Sequence, residues 1–202
     1  MLMRTKTDKE ERRDGGSRRT IRRVGFSHRR SYYRRMHKDP IEIRVADESD
    51  LPIILQFIEG LAEYEKLRDA CVATEEKLRN TLFADPPAAE VIIARIRGRP
   101  MGFALFFHNY STFLAQRGLF LEDLFVRPDA RGRGVGDALL SALARIALDR
   151  DCGRLEWAVL DWNDLAIGFY KRIGAKPMDE WTTFRMTGPA LRELASRSPS
   201  IG

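Results

Sequence analysis

Residues 121–136 read Leu121-Glu122-Asp123-Leu124-Phe125-Val126-Arg127-Pro128-Asp129-Ala130-Arg131-Gly132-Arg133-Gly134-Val135-Gly136. An apolar strand ending at Val126 runs through Arg127-Pro128 into a turn with glycine at every second position. An apolar helix, from about Val135 to Leu148, starts directly after it. Glycine lets backbone approach a ligand closely, and the free N–H groups of a helix N-terminus suit a phosphate. Two commoner phosphate motifs are excluded. A Walker loop ends in Gly-Lys-Ser/Thr, whereas Gly136 is followed by Asp137. The dinucleotide pattern Gly-x-Gly-x-x-Gly/Ala fails at Asp137 when started from Gly132 and at Leu139 when started from Gly134. Taken alone, such a turn also serves as a plain structural connection.

Upstream of this segment, Ile41, Ile43 and Val45 alternate with Glu42 and Arg44, as in a half-buried strand. Asp47 or Asp50 can cap a helix with Pro52 in its first turn and Leu51, Ile54, Leu55, Ile58, Leu61 and Ala62 at helical spacing. A second helix is expected from Thr74, with Glu75 and Glu76 in its first turn, and Asp85-Pro86-Pro87 marks its end. Strands Val91–Arg97 and Met101–Phe107 are joined through Gly98-Arg99-Pro100 as a hairpin, and a polar loop follows from Asn109 to Gly118.

Downstream, Gly153 opens a strand Leu155–Leu160, and Asn163 caps a helix reaching Lys171 or Arg172 that Gly174 stops. A last strand, Thr182–Met186, and a short helix, Pro189–Ala195, complete the order βααβββαβαβα. Strands alternating with helices imply a parallel pair late in the chain, and the hairpin implies antiparallel pairing earlier. The expectation is a mixed α/β sheet flanked by helices.

Composition sets the bounds. With 202 residues, 44% apolar and 32% charged, the chain supports one ordinary domain, expected over residues 40–202, preceded by a basic tail at 1–39. No run of 18 apolar residues offers a membrane span. Cys71 and Cys152 cannot form a disulfide framework, and a reducing cytoplasm is expected. His28, His37 and His108 have no partners at metal-ligand spacing, so no metal is expected.

Residues 1–38 hold 14 of the 35 Lys and Arg and 4 of the 29 Asp and Glu, leaving 21 bases against 25 acids in the rest. The domain itself is therefore mildly acidic and favours a cationic partner over nucleic acid. The tail has too few apolar residues to offset the entropy of ordering and is expected to be disordered. Ser17-Arg18-Arg19 lacks the apolar run that a twin-arginine signal needs. A solvated extension is the plain reading, with Met36 a candidate true start. Arginine pairs beside Tyr32 and Tyr33, clamping single-stranded nucleic acid, are the alternative.

Arg131-x-x-Gly134-x-Gly136 resembles the pyrophosphate-binding pattern Gln/Arg-x-x-Gly-x-Gly/Ala of the GNAT N-acetyltransferase superfamily, and the element order resembles that fold. Five further segments resemble the spermidine/spermine (diamine) acetyltransferase branch: Tyr64-Glu65, Gly102-Phe103-Ala104 with Asn109-Tyr110, Leu121–Val126, Asp161-Trp162-Asn163-Asp164, and Phe169-Tyr170-Lys171-Arg172. The resemblance covers about residues 41–195. It implies a GNAT fold with a mostly antiparallel central sheet, acetyl-CoA as acetyl donor, a small cationic amine as acceptor, and a homodimer.

The resemblance also implies roles. Backbone groups of Leu124, Phe125 and Val126 would hold the pantetheine arm, and the stretch Arg131, Gly132, Arg133, Gly134, Val135 and Gly136 the pyrophosphate, with Arg133 equally readable as a solvated surface arginine. Asn163 would cap its helix and touch the donor. Tyr170 would return a proton to the departing thiolate. Without the motif, Tyr170 reads as one more aromatic of an amphipathic helix.

Glu122 and Asp123 are consecutive, so on a regular strand they face opposite sides, and only a bulge would let both reach one cleft. By resemblance they bind the amine and relay its proton, with Glu122 placed in the catalytic step, while Tyr64, Glu65, Glu156 and Trp157 contribute to the amine site. One departure stands out. Animal polyamine acetyltransferases carry an acid and a Trp where this chain reads Asn109-Tyr110-Ser111-Thr112-Phe113. Two alternatives stay open: acetylation of amino-acid or protein lysine amines, and a non-catalytic acyl-CoA-binding regulator.

Overall fold

A computed structural model describes residues 39–199. The tail expected at 1–39 lies outside them except for Asp39. Five strands form one sheet in the order β1-β2-β3-β4-β5: β1 (Ile41–Val45), β2 (Glu90–Ile96), β3 (Arg99–Ser111), β4 (Gln116–Val126) and β5 (Leu155–Trp157). The first four pair antiparallel, and β4 and β5 pair parallel. Helices α1 (Leu51–Tyr64) and α2 (Glu75–Leu82) cover one face, and α3 (Val135–Asp149) covers the other. Helix α4 (Asp164–Arg172) follows β5, and α5 (Gly188–Ala195) is the last helix.

Each face has its own core, because successive strand residues point to opposite sides. Leu51, Ile54 and Phe57 of α1 meet Ile93, Phe103 and Phe125 on one side. On the other, Leu139, Leu140 and Leu143 of α3 meet Ala104, Phe106, Leu119 and Leu121. Asp47 caps a short 3-10 turn ahead of α1, its carboxylate accepting from Ser49 N–H. The buried Asp50 carboxylate accepts from Arg44 at 2.6 Å and Arg95 at 2.8 Å, tying that turn to β1 and β2. Thr74 caps α2 through Lys77 N–H, as its position predicts.

Three expected boundaries move. The β2–β3 turn is Arg97-Gly98, with φ of 51° and 74°, so Arg99 and Pro100 already belong to β3. Most of the polar stretch 109–118 is strand rather than loop: Asn109, Tyr110 and Ser111 pair with Gly118, Arg117 and Gln116, leaving only the tip at 112–115. Backbone pairing, indifferent to side-chain polarity, carries the hairpin past the end of the core. The expected strand over 182–186 does not form among the described residues. Phe184 is 92% exposed there, and without a neighbouring strand its N–H and C=O groups have no ladder to join.

Candidate active site

The site is made by an irregularity in β4. Leu105 pairs with Asp123, but Phe106 pairs with Leu121, so Glu122 is an extra residue without a partner on β3. A bulge of this kind bends its strand and re-aims the side chains beyond it. The last β4–β5 pair, Leu121 with Trp157, comes immediately before it. Past that point β4 has no partner on its β5 side, and Leu124, Phe125 and Val126 line a cavity of about 460 Å³.

Glycines complete the frame. A Cβ on Gly102 would lie 2.5 Å from the Phe125 carbonyl oxygen, so only glycine lets β3 approach β4 here. Gly132 and Gly134 have φ of 71° and 90°, which L side chains rarely adopt. Gly134 is the N-cap of α3 and supplies no side-chain cap bond, leaving the first N–H groups of the helix free to bind an anion. Gly132, Gly134, Val135, Gly136 and Arg131 all line the cavity. A Cβ at Gly134 would meet only Ile41 Cδ1 at 3.9 Å, so glycine is required by conformation rather than by crowding within the protein.

Three carboxylates line the same cavity. Asp123 and Glu122 both line the cavity, with Glu65 facing them from the C-terminal end of α1. Burial, reinforced by the negative charges of Glu122 and Glu65, raises Asp123 to about 6. Burial also raises Glu65. Three acids converging without a basic partner among the described residues is the arrangement expected where a cation is to be bound.

On the opposite wall, Asn163 Oδ1 accepts from Ala166 N–H and caps α4, which carries Tyr170. The Tyr170 ring packs on Trp157 with centroids 5.0 Å apart, and burial raises the phenol above its usual value, so it is held protonated. The Tyr64 hydroxyl donates to Asn163 Oδ1 at 3.2 Å, joining α1 to the start of α4.

Two expected residues are not brought to the cavity. Glu156 accepts from Asn109 Nδ2 at 2.9 Å and pairs with Arg154 at 2.8 Å, and adjacent Trp157 takes the cavity side because neighbours on a strand alternate. Arg133 turns outward toward Asp39, 3.7 Å away. Conversely, Leu61, Leu160, Phe169 and Arg172 line the cavity without having been given a role in the site. Helical spacing marked Leu61, four residues before Glu65 on the same face. Among the described residues no cluster of His, Cys, Asp or Glu could hold a metal ion, and no helix is long and apolar enough to cross a membrane.

A splayed parallel pair, an uncapped glycine turn and a cluster of three acids thus line one cavity. Residues 59–175 match the Acetyltransferase (GNAT) family, and the chain belongs to it as an N-acetyltransferase. A thialysine N-epsilon-acetyltransferase of Bos taurus is 40% identical over 168 residues, covering 78% of this chain and 98% of that protein. An L-ornithine N5-acetyltransferase of Arabidopsis thaliana is 34% identical over 203 aligned residues, covering 78% of this chain and 89% of that one. Among solved structures, an integron cassette protein of V. cholerae superposes with a TM-score of 0.66 at 32% identity, covering 78% and 98% of the two chains.

Proposed function

We propose that the protein transfers an acetyl group from acetyl-CoA to the terminal amine of a small cationic substrate, with a lysine-like amino acid or short diamine as the acceptor. The observation that carries the reading is the bulge at Glu122. It opens the strand pair that would seat the donor and turns the acid cluster into the same cavity. The donor supplies an activated thioester. Leu124, Phe125 and Val126 would hold its arm through backbone groups, and the turn Arg131–Gly136 its pyrophosphate.

Asp123 and Glu65 hold the cationic acceptor. Asp123, near 6, is ionised at neutral pH yet basic enough to take a proton, through Glu122 or a water, as the ammonium becomes an amine. The amine nitrogen attacks the carbonyl carbon, a C–N bond forms, and the C–S bond breaks. The electron pair leaves on sulfur, which takes the Tyr170 hydroxyl proton, and the phenolate regains a proton from the nitrogen as it becomes the neutral amide. Carboxylates and phenol stand on opposite walls, which suits removal of one proton and return of another.

The names of the two relatives support an acceptor with an amino-acid head and a distal amine. A cavity of this size also favours a small acceptor over a folded protein surface. A homodimer fits the last segment: Met178, Trp181, Phe184, Leu191 and Leu194 are exposed, more apolar surface than a lone domain normally shows. The free thiols Cys71 and Cys152 fit a cytoplasmic setting.

The test is an acetylation screen with acetyl-CoA over thialysine, lysine, ornithine, putrescine, spermidine and lysine peptides. Highest kcat/KM is expected for one of the first four. Preference for peptides or for neutral amines would sink the assignment. Sedimentation of the full chain tests the dimer.

A further inference from the structure

Arg131 is placed by the glycine turn to meet the donor, yet its side chain reaches across the cleft instead of lying along the turn. Its Nε donates to the Val126 carbonyl at 3.3 Å, and its guanidinium lies 4.6 Å from the centroid of the Tyr64 ring. Val126 pairs with Gly102 of β3, has no partner on the β5 side, and lines the cavity. Tyr64 ends α1, next to Glu65, and is tied by its hydroxyl to Asn163, the cap of the helix bearing Tyr170. Trp162 also packs on Tyr64, with ring centroids 5.8 Å apart. One exposed cation thus touches the donor wall, the acceptor wall and, through Tyr64, the catalytic helix.

We propose that Arg131 is a displaceable occupant of the donor cleft, and that its movement from Tyr64 to the donor's pyrophosphate makes donor binding strengthen amine binding. This rests on the acetyltransferase reading above. A pyrophosphate, with one negative charge on each phosphate, is a far stronger partner for guanidinium than a ring face at an exposed site. Drawing Arg131 to the N-terminus of α3 releases the Val126 carbonyl for an amide of the pantetheine arm. It also takes a positive charge away from Tyr64 and the neighbouring Glu65, where the cationic acceptor is to be held. Tyr64 is then a positioning residue whose ring and hydroxyl join the two halves of the site. A ligand shifts an equilibrium only by its differential affinity for the two states, and here that difference is the pyrophosphate's hold on Arg131.

The experiment compares wild type with Arg131→Met, an exposed loop substitution that leaves both cores untouched, using acetyl-CoA and S-acetylpantetheine as alternative donors. Arg131→Met should raise the KM for acetyl-CoA about tenfold, because a phosphate partner is lost. The same variant should lower the KM for S-acetylpantetheine at least threefold, because the occupant is gone and this donor has no pyrophosphate. Calorimetry supplies the second readout. CoA should tighten amine binding to wild type at least threefold and leave amine binding to Arg131→Met unchanged. An S-acetylpantetheine KM that stays level or rises would make Arg131 a phosphate ligand only and overturn the proposal while acetyl transfer stands. Wild type that neither binds acetyl-CoA nor acetylates any amine would overturn both.

Discussion

Gly60 of α1 lies directly against the ring of Phe125 on β4: a Cβ at Gly60 would stand 2.8 Å from Phe125 Cζ. Phe125 is a core residue flanked by two strand residues that border the cavity, and Gly60 is one helical turn before Tyr64. The missing side chain therefore sets the distance between the two walls of the site. Gly60→Ala forces either the ring or the helix to move. The expected cost is about 1–3 kcal/mol of stability, as for other overpacked cores. KM for the amine should rise while a change in acetyl-CoA affinity stays small. Denaturant unfolding and steady-state kinetics on one preparation check both.

Asp123 should cost the fold stability at the pH where the enzyme works. Its folded value, about 6, lies above the ordinary 3.8, so between these values the folded state holds a proton that the unfolded chain has released. The stability linked to this group is greatest below pH 3.8 and is lost as pH rises through 6. The gap of about two units corresponds to about 1–3 kcal/mol after allowance for partial solvent access. Asp123→Asn should thus raise Tm by several degrees at pH 8, less at pH 5, and lower activity. An unchanged Tm at pH 8 would show that the carboxylate is better solvated than its surroundings indicate.

The same group should shape the acid side of the activity profile. Between pH 5 and 7, kcat/KM should rise with an apparent midpoint near 6, as Asp123 ionises and becomes able to hold the ammonium and accept its proton. Above this the rate should climb toward the pKa of the amine. In Asp123→Asn the step near 6 should vanish while the amine-dependent rise remains.

Tyr170→Phe removes one hydroxyl and keeps the ring that packs on Trp157. Donor affinity and stability should survive, and kcat should fall about 10²-fold through loss of the proton source. Near-normal kcat would assign proton return to water.

Gly134→Val tests the turn. At φ of 90° a β-branched residue is strained, and the loop must relax away from the α3 N-terminus. Acetyl-CoA affinity should drop tenfold or more in calorimetry, with the amine site untouched. Because a Cβ there meets nothing closer than 3.9 Å, the folded cores should tolerate the change.

The sequence by itself determined the local elements and the chemistry available. Alternation at Ile41–Val45, the caps Thr74 and Asn163, and the helical spacing of Leu51–Leu61 depend on contacts within a few residues, and these elements formed where local signals placed them. Arg131-x-x-Gly134-x-Gly136 was legible for the same reason: positive φ at Gly134 and a free helix N-terminus are local properties of the chain. Tertiary structure decided what depends on pairing between distant segments. The bulge at Glu122 exists only in the register of β4 against β3, since a regular strand and a bulged one can carry the same run of residues. That register turns Asp123 toward Glu65, 58 residues away in sequence, and gives it its raised pKa. Glu156 was lost to the site because Asn109 and Arg154 reach it from other strands and loops, and Thr182–Met186, though patterned as a strand, has no neighbour to complete it. A strand needs a partner's backbone and a site needs convergence of walls, and neither is a property of any short stretch of sequence.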